Sequence, residues 1–282
     1  MKYLLINKKT NNSNYEERLN ELRNSLTEEF KEVCVNDEGF NHAEFVKGLN
    51  DDDEIVICGG DGTLNYFINH VDCDNIKQNV YIYPTGTGND FLADLGRHDT
   101  KEPVLINEYI KNLPTVTIDG VSTKFINGIG YGIDGYCCEV ADKQRVEKPN
   151  KPINYSSIAI KGLLFHYKKR KAKITIDGQV YEYKNVWLAP TMKGRYYGGG
   201  MIIAPAQDRL NSETLSVVVY KTRSKIRALM IFPSIFKGTH IKKKKVVNIM
   251  TGKDIEVEFN IPCALQIDGE TVLNVKSYKV TL

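Results

Sequence analysis

The sequence lacks the features that would place it in a membrane or among secreted proteins stabilised by disulfides. No run approaches the roughly 18 to 20 uninterrupted apolar residues that cross a bilayer, and the apolar start over residues 1–7 is too short for a signal peptide. The six cysteines include no Cys-x-x-Cys pair, which argues against a zinc site and against a disulfide framework. We therefore expect a cytoplasmic protein with reduced thiols.

An excess of charge of one sign is also missing. The chain has 38 Lys and Arg against 35 Asp and Glu, a net charge of +3, which is too mild to indicate a nucleic-acid partner. What it does have is 282 residues, of which 41% are hydrophobic. This length suffices for two ordinary domains of about 100 to 150 residues each, with a sizeable core.

The first part of the chain alternates strand and helix signals. Tyr15, Leu19, Leu22 and Leu26 recur on one helical face after an apolar run, and further apolar runs are each followed by a helical pattern. Strands that alternate with helices predict a parallel sheet covered by helices. We predict an α/β domain over residues 1–118.

In the second part of the chain, apolar and polar residues alternate as they do in antiparallel strands. Two alternating runs flank Asp177-Gly178, a pair typical of a hairpin turn, and more such runs follow towards the end of the chain. One helix, about Tyr155–Lys169, interrupts them, and we expect an exposed loop over Asp142–Pro152. The prediction is a β-rich domain over residues 119–282, mainly an antiparallel β-sandwich.

Two glycine loops are the strongest chemical signal. Gly59-Gly60-Asp61-Gly62-Thr63 and Gly86-Thr87-Gly88-Asn89 each follow an apolar strand and precede a helix. Both should lie at the carboxyl edge of a parallel sheet, where the ligands of such sheets bind. Glycine backbones and helix N-termini suit a phosphate, and Asp61 then suggests a divalent cation, most naturally Mg²⁺, between carboxylate and phosphate.

A structural explanation of each loop stays open at this level. Glycine turns after strands are common, and Asp61 could simply accept hydrogen bonds from nearby backbone N–H groups. The Gly-x4-Gly-Lys-Ser/Thr loop is absent, so nucleotide binding would need a different fold.

The tripeptide Ile-Asp-Gly presents a similar ambiguity. It occurs four times, at Asp119, Asp134, Asp177 and Asp268, and spacing does not separate these acids. Each fits a β-turn, a reading we favour for Asp177. Asp268 differs in having Glu270 two residues later.

The order of these motifs resembles the diacylglycerol kinase catalytic family, in particular its soluble bacterial lipid kinases. The resemblance covers nearly the whole chain and rests on four segments: residues 59–65, 84–91, 127–134 and 268–270. It implies a first domain similar to phosphofructokinase and NAD kinase, a β-sandwich second domain, and ATP bound between the two.

The resemblance also implies roles for single residues. The positions that would hold ATP are Asn7, Gly59, Gly60, Asp61, Gly62, Thr63, Leu64, Asn65, Gly86, Thr87, Gly88 and Asn89. The catalytic acids would be Asp268 and Glu270, and which of them accepts the proton stays open. The metal positions would be Asp61, Asp119, Glu213 and the backbone carbonyls of Leu210 and Leu215, although the usual Asp-Gly of the metal loop is replaced around Glu213.

These residues together predict an ATP- and Mg²⁺-dependent lipid kinase, most naturally one that converts diacylglycerol to phosphatidic acid. Basic clusters at 168–171 and 242–245 suggest a peripheral position at the anionic inner face of a membrane, with solvated lysine edges as the alternative. A homodimer is an open option. The rivals are a kinase of the same fold that acts on a sphingoid base, a polyprenol or NAD, and a catalytically silent regulator that binds nucleotide or lipid.

Overall fold

The computed structural model describes residues 1–8, 14–86, 88–148 and 153–282. Their contacts divide the chain into an N-terminal unit, Met1–Leu113, and a C-terminal unit, Pro114–Leu282. No helix within the described ranges is both long enough and apolar enough to span a membrane.

The N-terminal unit is a five-stranded sheet with helices between its strands. In chain order its elements are β1 Lys2–Ile6, α1 Tyr15–Ser25, β2 Phe30–Cys34, α2 His42–Lys47, β3 Glu54–Gly59, α3 Asp61–His70, β4 Asn79–Pro84, α4 Asp90–Asp94 and β5 Val104–Leu105. The strand order is β2-β1-β3-β4-β5, and only β5 pairs antiparallel. The predicted parallel sheet is confirmed.

Burial explains why these segments form strands and helices. The central strand β3 is buried from Ile55 onward, as expected for a strand covered on both faces. In α1, Tyr15, Leu19 and Leu22 are buried against the sheet, while Leu26, the extended residue after the helix, packs partly buried against the same cluster. The helical spacing read from the sequence is therefore the spacing of the buried face.

In its described residues, the C-terminal unit consists of antiparallel strands and three α-helices. Its strands are β6 Thr115–Ile118, β7 Val121–Lys124, β8 Gly128–Tyr131, β9 Arg170–Ile176, β10 Gln179–Leu188, β11 Thr191–Met192, β12 Tyr196–Tyr197, β13 Met201–Ile202, β14 Leu215–Lys221, β15 Val247–Gly252, β16 Ile255–Ile267 and β17 Glu270–Thr281. Its α-helices are α5 Ile133–Glu147, α6 Tyr155–Lys161 and α7 Lys225–Ile231, joined by a π-helical turn, Gly162–His166, and 3-10 turns at Phe232–Ser234 and Thr239–Lys242.

The main sheet of this unit closes on itself. Its order is β7-β6-β17-β16-β8-β11-β14-β10-β9, and β9 also pairs with β16, while β15 pairs with β14. All of these pairings are antiparallel, which confirms the predicted architecture of the second domain. One hydrophobic cluster fills the inside of the sheet, and a second lies beneath the helices.

Three of the four Ile-Asp-Gly segments form two-residue hairpin turns. Asp119, Asp177 and Asp268 have φ values of 48°, 48° and 47°, and each is followed by a glycine of positive φ. This is the geometry of a type I′ turn, which Asp-Gly favours. The predicted start of the second domain, Asp119, lies in the first of these hairpins, whereas contacts begin the C-terminal unit at Pro114, because β6 already pairs with β17.

The helices of the C-terminal unit correct two expectations. The segment expected as a loop from Asp142 is helical to Glu147, because α5 buries Ile133, Cys137 and Ala141 at a spacing of four. The helix expected over Tyr155–Lys169 changes to a π-helical turn at Gly162 and ends at His166.

Candidate functional site

The two glycine loops lie against each other at the carboxyl edge of the N-terminal sheet. β3 and β4 are parallel neighbours, with Gly59 opposite Pro84. The backbone N–H of Thr85 donates to the Gly59 carbonyl oxygen at 3.2 Å, and that of Asp61 donates to the Gly88 carbonyl oxygen at 2.9 Å. The expectation that both loops form one rim of this sheet is confirmed.

Close packing explains the glycine at position 60. A Cβ atom there would lie 2.4 Å from the Gly88 carbonyl oxygen, although the backbone at Gly60, with φ −120°, is open to any residue. The requirement for glycine is therefore steric. It lets the two loop backbones touch.

The N-terminus of α3 faces this rim without a side-chain cap, because its N-cap residue is Gly60. The first N–H groups of a helix lack intrahelical acceptors and carry a partial positive charge. Gly62 and Thr63 lie in this first turn. Asn7 follows Ile6, which pairs with Cys58, so Asn7 ends its strand at the same edge.

Asp61 has a structural role at the rim. Its Oδ2 accepts the backbone N–H of Asp90 at 2.7 Å, and its Oδ1 accepts that of Phe91 at 3.0 Å. The carboxylate of one loop thus caps α4, which follows the other loop. The sequence left open whether Asp61 accepts hydrogen bonds from nearby backbone N–H groups, and the structure shows that it does.

Asn89 adds a polar atom to the same place. Its Nδ2 donates to the Gly86 carbonyl oxygen at 3.0 Å. Its Oδ1 is buried and has no hydrogen-bond partner within the described ranges. A buried amide oxygen normally has a partner, so this atom suits a ligand donor or a bound water.

The other predicted nucleotide positions divide into three groups. Leu64 is fully buried and belongs to the core, so only its backbone could face a ligand. Asn65 is buried within α3, and its carbonyl oxygen accepts Nδ2 of Asn69. Thr87 lies outside the described residues.

The rim suits a cation that arrives with phosphate groups. Mg²⁺ commonly keeps several waters and takes one or two carboxylates plus substrate phosphates. Asp61 would be the carboxylate among these groups, since an ionised carboxylate has about four lone-pair sites and can accept more than one hydrogen bond or cation contact. Among the described residues, those of the rim included, no group of three or more His, Cys, Asp and Glu side chains could hold a metal alone.

Asp268 is held by three backbone groups of its own unit. Its Oδ2 accepts the N–H of Ile126 at 2.7 Å, and its Oδ1 accepts those of Asn127 and Gly128, both at 2.9 Å. Asp268 is buried, whereas Glu270, the first residue of β17, is exposed. The two predicted catalytic acids therefore stand on one hairpin in different environments.

A polar chain beneath this hairpin includes the fourth Ile-Asp-Gly acid. Gln266 accepts the N–H of Gly269 on its Oε1 at 2.6 Å and donates from Nε2 to Oδ2 of Asp134 at 3.1 Å. Asp134 lies buried in the first turn of α5. The motifs at 127–134 and 268–270 are thus joined through β8 and β16.

Two cations near Asn127 escaped the sequence analysis. Arg209 is buried and donates to the carbonyl oxygen of Ile126 and, at 2.8 Å, to Oδ1 of Asn127. The backbone N–H of Lys193 donates to the Asn127 carbonyl oxygen at 2.9 Å. Burial, and then the Arg209 charge, lower the pKa of the Lys193 amine. No local pattern marks a buried arginine, so only the fold identifies it.

The loop before β14 does not fit the structural metal that the resemblance implies. The Glu213 side chain is 86% exposed and lies 3.4 Å from Nζ of Lys253. Gln207 Nε2 and Ser212 Oγ both donate to the Thr214 carbonyl oxygen at 2.9 Å. Side-chain hydrogen bonds therefore close this loop, and Glu213, its one predicted side-chain ligand, faces solvent.

Asp119, the remaining predicted metal position, is exposed in its hairpin turn. Its position is explained by the turn, and it belongs to no cluster of ligand side chains in the described ranges.

Comparison with known proteins adds two family matches that together cover most of the chain. Residues 2–120 match the diacylglycerol kinase catalytic domain, and residues 127–278 match the YegS C-terminal NAD kinase beta sandwich-like domain. A diacylglycerol kinase of Mycobacterium tuberculosis is 27% identical over 214 residues, which are 73% of this chain and 67% of that protein. A diacylglycerol kinase of Bacillus subtilis is 22% identical over 248 residues, 84% of this chain and 77% of that protein.

The fold is also similar to that of solved structures. The crystal structure of a diacylglycerol kinase from Bacillus anthracis superposes with a TM-score of 0.67 at 21% identity and covers 99% of this chain and 93% of that one. At this identity the likeness concerns the fold.

Proposed function

The chain belongs to the diacylglycerol kinase family of lipid kinases, and from this premise we propose that it transfers the γ-phosphoryl group of ATP to the hydroxyl of diacylglycerol. The products are phosphatidic acid and ADP. The observation that carries the proposal is the contact between the two glycine loops, where the Asp61 N–H donates to the Gly88 carbonyl oxygen.

The rim of the N-terminal sheet is the proposed ATP site. The uncapped first turn of α3 offers N–H groups to phosphate oxygens, and the buried Asn89 Oδ1 offers an acceptor to a ligand donor. Mg²⁺ would enter with the triphosphate, Asp61 would help to hold it, and it would neutralise charge on the transferred phosphoryl group. The protein residues orient the triphosphate and limit its movement.

Of the two acids on the β16–β17 hairpin, we assign the general base to Glu270. The lipid hydroxyl oxygen forms the new bond to phosphorus, the bond from phosphorus to the β-γ bridging oxygen breaks, and the hydroxyl proton passes to a carboxylate late in the step. The carboxylate oxygens of Asp268 accept hydrogen bonds from three backbone N–H groups. Glu270 is exposed, so a lipid hydroxyl can approach its carboxylate. Asp268 then acts as the residue that positions the hairpin.

Diacylglycerol is the acceptor that the names of the relatives favour, and it reaches the enzyme from a bilayer. We therefore propose a peripheral enzyme at the inner, anionic face of a membrane. Basic clusters at 168–171 and 242–245 support contact with anionic headgroups.

The test is transfer of labelled phosphate from γ-labelled ATP to a panel of diacylglycerol, a sphingoid base, a polyprenol and NAD, with and without Mg²⁺. We expect product on diacylglycerol that requires Mg²⁺. Product on another acceptor alone would reject the assignment of substrate. Tight ATP binding without any product would favour a silent regulator.

A further inference from the structure

Two segments of the C-terminal unit contain no acidic residue at all. Residues 153–176 hold six Lys or Arg and residues 214–253 hold ten, and neither segment has a single Asp or Glu. The whole chain has 35 acidic residues, so their absence from both segments is a strong local bias in a nearly neutral protein. Such segments attract anionic surfaces.

The same segments expose large apolar side chains. Phe165 is 73% exposed, Ile226 68%, Met230 70% and Ile160 46%. Phe165 lies on the π-helical turn that ends α6, and the other three lie on α6 and α7. Clustered exposed apolar side chains of this size mark an interaction surface rather than ordinary solvent-facing surface.

Two hydrogen bonds and a shared buried cluster join the two segments. Lys225 Nζ donates to the Leu164 carbonyl oxygen at 2.7 Å, and Lys169 Nζ donates to the Arg223 carbonyl oxygen at 2.8 Å. On their inner side, Leu163, Ala228 and Ile231 share one buried cluster. The outward residues of α6, the π-helical turn and α7, with the two lysines that follow the turn, therefore form one surface, which we call the α6–α7 face: Ile160, Lys161, Phe165, Lys168, Lys169, Lys225, Ile226, Arg227 and Met230.

The acids on the neighbouring helix do not cancel this charge. α5 shares a buried cluster with α6, and two of its acids, Glu139 and Asp142, are paired with cations of their own helix. Glu139 pairs with Lys143 at 2.6 Å, and Asp142 pairs with Arg145 at 2.6 Å. Both are therefore balanced within α5.

We propose that the α6–α7 face docks onto an anionic lipid bilayer, with Phe165, Ile226 and Met230 inserted among the acyl chains and the flanking Lys and Arg side chains at the headgroups. The proposal rests on the proposed function, because the bilayer is where the acceptor lipid resides. A bilayer offers an apolar interior beneath an anionic layer, which matches apolar tips surrounded by cations. It also fits the absence of acidic side chains, which an anionic headgroup layer would repel.

The first experiment measures binding to sedimenting vesicles of phosphatidylcholine, alone or mixed with phosphatidylglycerol, in the absence of ATP. The wild-type protein should bind the mixed vesicles more tightly. The triple variant Phe165→Ser, Ile226→Ser, Met230→Ser should bind them at least about tenfold more weakly, because it loses the inserting side chains. The double variant Lys161→Glu, Arg227→Glu, which leaves the Lys225 and Lys169 hydrogen bonds in place, should lose the preference for phosphatidylglycerol.

A matched control comes from other exposed apolar residues of the same unit. Val121, Val180 and Leu273 are 70%, 52% and 59% exposed on strands β7, β10 and β17. Their triple change to Ser should leave vesicle binding as in the wild type. Equal loss in both triple variants, or wild-type binding by the α6–α7 variant, overturns the proposal. So does a variant that changes only the oligomeric state, since a second copy would then be the partner.

The second experiment separates this proposal from the proposed function. With a short-chain, water-soluble diacylglycerol, the α6–α7 triple variant should keep kcat/KM within about twofold of the wild type, but it should lose activity on vesicles in proportion to binding. If no lipid is phosphorylated while vesicle binding still depends on the face, the docking surface stands and the assigned reaction falls. Equal loss on the soluble substrate would instead assign the face to chemistry and overturn docking.

Discussion

At the scale of single residues, identical tripeptides acquire different chemistry from the N–H groups around them. Three Ile-Asp-Gly acids occupy the same type of hairpin turn. Asp119 is exposed, and Asp177 accepts the N–H groups of Lys253 and Asp254, which lower its pKa. Only Asp268 is buried while it binds three backbone donors. A shared turn therefore does not imply a shared role.

This difference predicts that both hairpin acids are needed for activity but that only Asp268 is needed for stability. Asp268→Ala leaves three buried backbone N–H groups without their acceptor, so we expect the free energy of unfolding to fall by about 3 kcal/mol, with loss of activity. Glu270→Gln should keep the thermal midpoint and lower kcat about 100-fold or more, as removal of a general base does. Thermal unfolding and steady-state kinetics on both variants check this.

Asp177→Ala is the control for the turn itself. It removes a carboxylate from the same type of turn, but at an exposed site, so stability should fall less than in Asp268→Ala and activity should remain. A stable Asp268→Ala protein with kcat reduced more than in Glu270→Gln would instead make Asp268 the base.

His42 predicts a pH dependence of stability. It is buried beside the rings of Phe40 and Tyr66, at centroid distances of 4.8 and 5.0 Å. Burial, and then the charge of His70, lower the pKa of His42 from 6.5 to about 4. Between these two pKa values the unfolded state binds more protons than the folded state. The contribution of neutral His42 to stability is therefore complete above pH 6.5 and is lost as the pH falls towards 4, by up to about 3 kcal/mol.

Denaturant titrations across this pH range, on the wild type and on His42→Phe, test the assignment. The variant should show a shallower loss of stability towards acid pH, while His98→Gln, at an exposed histidine, should follow the wild type. Identical slopes in wild type and His42→Phe would contradict it.

At the scale of elements, the glycine loops matter because two backbones touch. Gly60→Ala would place a Cβ 2.4 Å from the Gly88 carbonyl oxygen and force the loops apart. We expect ATP affinity to fall at least about tenfold, since the rim loses its shape, as measured by equilibrium binding of a fluorescent ATP analogue.

Gly48→Ala is the matched control for this change. Gly48 ends α2 in right-handed helical geometry, and a Cβ there meets its nearest atoms at an ordinary 3.5 Å. Its ATP affinity should equal that of the wild type. Wild-type ATP affinity in Gly60→Ala would mean that the loop contact does not shape the site.

The loop before β14 predicts independence from a structural cation. Because Gln207 and Ser212 close it by hydrogen bonds to the Thr214 carbonyl oxygen, the nucleotide-free protein should melt at the same temperature in Mg²⁺ and in EDTA. Gln207→Ala should lower the midpoint, since it removes the Nε2 donor and also the acceptor of the Ser216 hydroxyl. Glu213→Gln should not. Stabilisation by Mg²⁺ that Glu213→Gln abolishes would restore the metal site.

At the scale of the whole molecule, a small net charge hides a strongly uneven distribution. The net charge is only +3, yet sixteen basic and no acidic residues occupy residues 153–176 and 214–253. We therefore expect added salt to reduce activity on anionic vesicles strongly, because the Debye length shortens to about 3 Å at 1 M. Activity on a water-soluble diacylglycerol should change little. Equal salt sensitivity in the two assays would place the effect in the reaction step.

Much of the fold follows from local patterns. The alternation of strands and helices, and the spacing of Tyr15, Leu19 and Leu22, depend on neighbours in sequence and are confirmed. The sequence pattern does not predict α5, because its first turn contains Gly135, whose lack of a Cβ lets the helix approach the backbone of Ala264. Gly135 thus weakens the helical pattern in the local sequence, but it is the residue that allows α5 to pack against β16.

The sequence by itself determined the two-part architecture and placed both glycine loops at one sheet edge, because periodicity and turn chemistry are local. Tertiary structure decided what the carboxylates do. Asp61 caps a helix 29 residues away, and Asp268 binds N–H groups 140 to 142 residues away. The protonation and reach of an acid depend on the donors that surround it, and those donors come together only when distant segments fold against one another.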